Sequence, residues 1–240
     1  MKAIVFTARL NSLFSIRIPF TWQSALIYPV LPPSAVIGML ANALQRHRND
    51  RHPSQYLSLV ENDLLWVGSR LLSPCVIKSY TTSAIVKWED ILGGKFTNAL
   101  GRQFGFVRNL QIVSIFERDD LTHLLIEALR TSPLTAGDSE SLISIEDAIS
   151  EKKVSEIKDA SEVVTYFYIP FDEKTDVLEG NGIVYLMHER CQHKEDSFPL
   201  RSYLVPVREE EHILKPSYVK VECTSEKVLE IEDVGRIVTR

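Results

Sequence analysis

The sequence predicts an α+β fold, and three observations carry that expectation. Apolar, β-branched runs alternate with two segments of helical periodicity over residues 1–150. The order reads strand, helix, strand, strand, helix, strand. After residue 150 the chain changes to short strand-like runs separated by charged and turn-forming residues, which suits a mostly antiparallel tail. We therefore expect two parts, 1–150 and 151–240. At 240 residues, 45% hydrophobic and 25% charged, the chain can bury a real core.

Residues 2–8, KAIVFTA, read as a first, central strand. A polar stretch follows, and the proline in Ile18-Pro19-Phe20 points to a loop or an edge. In Tyr28-Pro29-Val30-Leu31-Pro32-Pro33-Ser34 the prolines force an extended approach, and Ser34 is placed to cap a helix. Val36, Met39, Leu40, Ala43 and Leu44 carry that helix at the right spacing. Gly38 inside it costs about 1 kcal/mol relative to alanine, which implies close approach of another backbone. The helix ends in a basic run, Arg46 to His52.

Residues 63–85 are strand-like. Residues 88–102, with Gly93, Gly94 and Gly101, read as a mobile connection, and residues 104–116 resume the strand pattern. Asp119 and Asp120 open a compact helix that Arg130 closes, each charge favourable to the helix dipole. A loop, 132–141, precedes a short strand at 142–145, and a charged linker spans 151–159. Strand candidates then fall at 163–169, 182–187, 201–207, 218–222 and 228–231. The order of elements up to residue 150 is that of a ferredoxin-like βαββαβ unit, the arrangement of RNA-recognition domains. Many activities share it, so topology alone assigns none.

The net charge of −5 conceals an asymmetry. Residues 1–116 hold twelve Lys or Arg against five Asp or Glu, net +7; the remainder holds fifteen against twenty-seven, net −12. Arg70, Lys78, Lys87, Lys95, Arg102 and Arg108 interleave with Tyr80, Trp88, Phe96, Phe104 and Phe106. That mixture suits single-stranded nucleic acid, where cations follow phosphates and rings stack on unpaired bases, and equally a solvated face over an aromatic core. Apolar runs fall short of the roughly 18 residues of a membrane helix, and the start lacks signal-peptide character, so a cytoplasmic protein is expected. Cys75, Cys191 and Cys223 read as ordinary thiols.

Catalytic and cofactor motifs are scarce. No phosphate-binding loop or GxGxxG follows a strand, so no cofactor is expected. Gly137-Asp138-Ser139-Glu140-Ser141 fails as a nucleophile elbow at its last position. His188, Cys191, His193 and Cys223 depart from structural zinc spacing, so no metal site is expected. Metal-free RNA cleavage would need a general base; His47 and His52 are the best placed, although a phosphate-contacting or merely soluble helix end is the plainer reading.

The stretch Tyr28-Pro29-Val30-Leu31-Pro32-Pro33-Ser34-Ala35-Val36-Ile37-Gly38 resembles the N-terminal signature of the Cas five family, CRISPR-associated RAMP subunits of type I (Cascade) complexes. Gly137-Asp138-Ser139-Glu140 resembles a loop found in that family before the last strand of its ferredoxin-like unit. The resemblance implies a non-catalytic subunit that caps the 5′ handle of the guide RNA and docks on a backbone subunit, reaching target DNA only through the complex and no membrane. It places Arg9, Arg46 and Arg48 at handle phosphates, and the Pro33-Ser34 turn would present a helix N-terminus whose free amides can receive phosphate or a base edge. Gly137, Asp138 and Ser139 would close the other side of the site. An inserted thumb at about 78–108 would contribute Lys78, Lys87, Arg102 and Arg108. One branch of the family cleaves repeat RNA with Tyr, Lys and His. Here Lys78, Tyr80 and Lys87 are present, but no histidine lies between His52 and His123, so the non-catalytic branches fit better.

Overall fold

The computed structural model describes residues 1–21, 24–84, 98–137, 141–158, 160–173, 175–191, 200–222 and 227–239. In its first part, β1 (Lys2–Leu10) and the two-residue β2 (Ser24–Ala25) precede helices α1 (Pro33–Arg48) and α2 (Pro53–Asp63). Strands β3 (Leu64–Leu71), β4 (Cys75–Ala84), β5 (Asn98–Val107) and β6 (Asn109–Phe116) lead to α3 (Asp119–Thr131), then β7 (Leu134–Thr135), β8 (Leu142–Ile145) and β9 (Ser150–Ile157). The later part contains β10 (Glu162–Thr165), β11 (Ile169–Pro170), β12 (Asp176–Gly180), β13 (Ile183–His188), β14 (Leu200–Val205), β15 (Val207–Glu210), β16 (Ile213–Pro216), β17 (Val219–Glu222), β18 (Lys227–Ile231) and β19 (Gly235–Thr239). The fold is α+β, strand-rich, with three helices among the described residues; none is long and apolar enough to cross a membrane.

The largest sheet runs β19-β18-β9-β1-β6-β3, and β8 also pairs with β1. Along one edge of β1, β9 pairs with Lys2–Val5 and β8 with Ala8–Leu10; β6 lines the other edge, and all these pairings are antiparallel. β1 is thus central, as its apolar run predicts. Alternation sends Ile4, Phe6, Ala8 and Leu10 into a core with Val36, Ile37, Leu40 and Leu44 of α1 and Leu121, Leu125 and Leu129 of α3. The opposite face, Ala3, Val5, Trp66, Val113 and Ile115, is covered by Phe167 and by Leu229, Ile231 and Ile237 of β18 and β19. The chain therefore crosses residue 150 inside one sheet. Smaller antiparallel sheets, β10-β17-β12 and β11-β14-β13, complete the tail, and β15-β16-β4-β5-β2 joins the tail to the β4–β5 hairpin.

Several local expectations need correction. Residues 151–157 are not linker but strand: in SEKKVSEI the exposed Glu151, Lys153, Ser155 and Glu156 are solvated on β9 while Val154 and Ile157 pack against core clusters. Residues 98–102 are strand rather than connection, paired with Thr81–Ala84 and Tyr80; residues 88–97 lie outside the described set. The loop at 132–141 contains β7, paired with β8. Helix α2 was unexpected: Pro53 takes its first turn, where a missing N–H costs nothing, and the His52 ring nitrogen accepts the Ser54 amide at 3.3 Å. Ser34 does not cap α1. The cap position belongs to Pro32, extended at φ −66° and ψ 162°, and Pro33 supplies the pre-set φ of the first helical residue. No backbone crowds Gly38 either, because a Cβ built there meets nothing within 4 Å.

Candidate nucleic-acid interface

Ser34, Gly38, Asn42 and Arg46 recur every four residues and form one ridge along the part-exposed side of α1. The other side of that helix is apolar and buried, so these four are left facing outward. With Ala35 and Met39 they form one wall of a groove of about 520 Å³; Pro133, Thr135, Gly137 and Leu142 form the other. The missing side chain at Gly38 keeps the groove open at mid-helix. Gly137 is left-handed at φ +87°, and a Cβ there would lie 2.7 Å from Ile16 Cγ1, so the wall passes at this point only as glycine. Arg46 is exposed and has no ion-pair partner among the described residues. Its guanidinium is available to an anion in the groove. Asn42, Met39, Thr135 and Leu142 are lining residues that sequence reasoning missed, although the four-residue spacing from Ser34 through Arg46 would have found Asn42.

A second surface is built by the β4–β5 hairpin. Its register opposes Val76 to Phe106, Lys78 to Phe104 and Tyr80 to Arg102, so these six side chains share one face. On the alternate face Cys75, Gly105 and Val107 are buried, whereas Ser79 and Thr81, further along the hairpin, are exposed. A Cβ at Gly105 would meet Phe14 Cε1 at 2.6 Å, which shows how closely that inner face sits on the loop after β1. Outside, Tyr80 and Phe106 are half exposed, the Tyr80 and Phe104 rings meet edge-on at 5.7 Å, and the Arg102 guanidinium lies 4.7 Å over Phe104. Ser15 Oγ accepts from Arg102 Nε at 3.0 Å, fixing the cation against the ring. This face offers rings and cations side by side.

Residues 11–17 connect the two surfaces. On one side the Asn11 amide donates to Leu142 O at 3.0 Å, and Ser141 Oγ donates to Leu13 O at 3.1 Å. On the other, Phe14 exchanges backbone hydrogen bonds with Gly105, and Ser15 Oγ donates to Gln103 O at 2.9 Å. Groove wall and hairpin are thus held in one hydrogen-bonded strip.

Other expected residues take different places. Arg9 and Arg108 both approach Glu146 Oε1 at 3.9 Å, on the sheet side of the β5–β6 corner rather than in the groove. Arg48 is exposed beyond the groove, near Asp50, whose carboxyl is held below its ordinary range by the Tyr56 hydroxyl and then by Arg51 and Arg48. Tyr28 is 2% exposed, donates its hydroxyl to Leu186 O at 2.5 Å, and has its pKa pushed up by burial; it is a core residue that cannot touch a ligand. Pro33 is buried and faces away from the groove, toward Trp66 and Tyr203. Of the amides at this helix end, Ala35 and Val36 donate to Pro32 O and Pro33 has none to offer, while the Ser34 carbonyl accepts from the Cys191 thiol at 3.0 Å. Lys87, Asp138 and Ser139 lie outside the described residues.

Both candidate bases are engaged. His47 Nδ1 lies 2.9 Å from Thr131 Oγ1 on α3, and His52 caps α2. Among the described residues no group of three or more His, Cys, Asp or Glu could hold a metal; His193 and Cys223 fall outside that set. Burial pushes the Cys75 and Cys191 thiols up to about 12, which keeps both protonated at neutral pH. The arrangement can bind an anionic strand and stack its bases.

No family model and no curated protein matches the chain. Among solved structures, it is similar over 100% of its length, and 99% of the other chain, to a CRISPR protein from Archaeoglobus fulgidus, with TM-score 0.65 and 14% identity. It is also similar, over 92% of its length and 86% of the other chain, to a chain in the structure of the Type III-B Cmr-beta bound to cognate target RNA and AMPPnP, with TM-score 0.52 and 9% identity. At such identities the likeness is one of fold, and with the Archaeoglobus fulgidus protein it runs from end to end.

Proposed function

We propose that this chain is a non-catalytic RNA-binding subunit of a CRISPR interference complex. It holds the 5′ handle of the guide RNA in the groove between α1 and Gly137, leads the strand over the outer face of the β4–β5 hairpin, and docks on a backbone RAMP subunit. The type I, Cas five assignment belongs to this reading, as does the description of β1, α1, β3, β6, α3 and β8–β9 as a ferredoxin-like unit carrying the hairpin as its thumb. The observation that carries the reading is the continuity of the two surfaces. A one-cation groove and a face of rings and cations are joined through residues 11–17, matching what a single strand needs: phosphate neutralisation and base stacking. The likeness to CRISPR proteins supports it.

The alternative is a metal-independent endoribonuclease that processes CRISPR repeat RNA. The structural engagement of His47 and His52 speaks for the non-catalytic reading. Incubation of the full chain with repeat RNA in EDTA discriminates. Retained binding with intact RNA is expected; site-specific cutting abolished by His47→Ala or His52→Ala would overturn the reading.

A further inference from the structure

The face of the central sheet opposite α1 and α3 is only partly covered. Trp66 lies across Gly68, Phe167 packs edge-on against Trp66 at 5.5 Å, and there the apolar cover stops. Continuing along the strands, the same alternation presents Arg70 of β3, Gln111 and Asn109 of β6, and Thr7 and Arg9 of β1. Arg70 is directly opposite Gln111, Gln111 opposite Thr7, and Asn109 opposite Arg9. Three polar atoms in this patch are shielded from solvent and have no hydrogen-bond partner among the described residues: Arg70 Nε, Gln111 Oε1 and Asn109 Oδ1. Such atoms are rare in native folds, and three together on one face would be satisfied by a group that supplies both a donor and an acceptor. The Arg70 guanidinium lies 5.2 Å from the Tyr166 ring and 5.0 Å from Phe167, while Tyr166 itself is 47% exposed. Burial lowers the Arg70 pKa from its ordinary value. Arg9 and Arg108 border the patch, each 3.9 Å from Glu146 Oε1, while Glu146 Oε2 accepts from Asn109 Nδ2.

We propose that this patch is a second RNA contact that takes one unpaired nucleotide, its base against Tyr166 and the amide oxygens of Gln111 and Asn109, its phosphate at Arg9 and Arg108. An unpaired base offers the donor and acceptor edge the orphaned atoms lack, a ring for Tyr166, and one negative charge for a patch with three arginines and one glutamate. The inference rests on the RNA-binding reading above but uses a different face of the sheet from the groove.

The test is fluorescence anisotropy of a labelled eight-nucleotide oligouridylate titrated with the full chain. Tyr166→Ala and Gln111→Ala are compared with the hairpin variant Lys78→Ala/Arg102→Ala, and each variant's thermal melt is recorded. Tyr166→Ala removes an exposed ring and keeps the test open should Gln111→Ala fold poorly. A five- to roughly 150-fold weakening by Tyr166→Ala, the worth of stacking one base, with an unchanged melt, supports the inference. Wild-type affinity in Tyr166→Ala and Gln111→Ala, beside a weakened hairpin variant, overturns it and leaves the RNA reading standing. The same result accompanied by loss of a co-purifying protein overturns it in favour of a subunit interface. No binding by the wild-type chain overturns both.

Discussion

Replacing Gly38 separates folding from function. A Cβ at this position meets nothing within 4 Å, so alanine carries no steric cost. It removes the entropic penalty of glycine in a helix interior, about 0.8–1 kcal/mol. For a chain of this size that is a rise in Tm of about 2–4 °C. The same open space is the middle of the groove between Ser34 and Arg46. A longer side chain, Gly38→Gln, fills it without disturbing the core and displaces the strand from Arg46. Loss of one charge-assisted contact, about 1.5–3 kcal/mol, weakens binding of repeat-derived RNA about 10- to 150-fold. Thermal melts and anisotropy on Gly38→Ala and Gly38→Gln test both halves. A lower Tm for Gly38→Ala refutes the geometry; wild-type RNA affinity for a folded Gly38→Gln refutes the assignment of the groove.

Other outcomes follow from the same structure. Gly105→Ala forces a Cβ to within 2.6–2.9 Å of Phe14 and Ile27 and is expected to cost about 1–3 kcal/mol in urea unfolding. A cost near zero would show that the hairpin does not sit closely on that loop. Lys78→Ala and Arg102→Ala each reduce the slope of log affinity against log salt by about 0.7, the value for one phosphate on a single strand; unchanged slopes would remove the hairpin from the path of the RNA. Cys75 is fully buried and its pKa rises from 9.0 to about 12, so the native state binds the extra proton in that window. Its contribution to stability is complete below pH 9 and falls as pH rises toward 12, by about 1 kcal/mol at pH 10, and the fall is absent in Cys75→Ala. Equal pH dependence in both proteins would contradict the burial.

What the sequence revealed and what it hid have physical reasons. β1 was legible because a central strand, covered on both faces, must be apolar at nearly every position. α3 was legible because acidic residues at its start and Arg130 at its end reinforce a clean amphipathic period. β9 was hidden because all of SEKKVSEI except Val154 and Ile157 is polar or charged; its pairing with β1, about 150 residues away, leaves no local trace. α2 was hidden by the basic run before it and the proline at its start. Of the candidate site, the four-residue spacing of Ser34, Gly38 and Arg46 and the positive φ at Gly137 come together in one groove. Tyr28 and Pro33 stood beside them in sequence, yet helix geometry turns Pro33 inward, and Tyr28, in the extended approach before the helix, is buried with its hydroxyl on Leu186 O. Arg9 and Arg108 meet at Glu146, a contact between chain segments that no local pattern encodes.

The central claim, that the groove along α1 grips the end of an RNA strand without breaking it, is tested most directly by photo-crosslinking. An RNA bearing 4-thiouridine at its 5′ end is irradiated with the full chain in EDTA, then both RNA length and the attached peptides are determined. Intact RNA joined to peptides spanning Ser34 to Arg46 or Leu134 to Leu142 is the predicted result. Shortened RNA, or crosslinks confined to peptides remote from both walls, would contradict it.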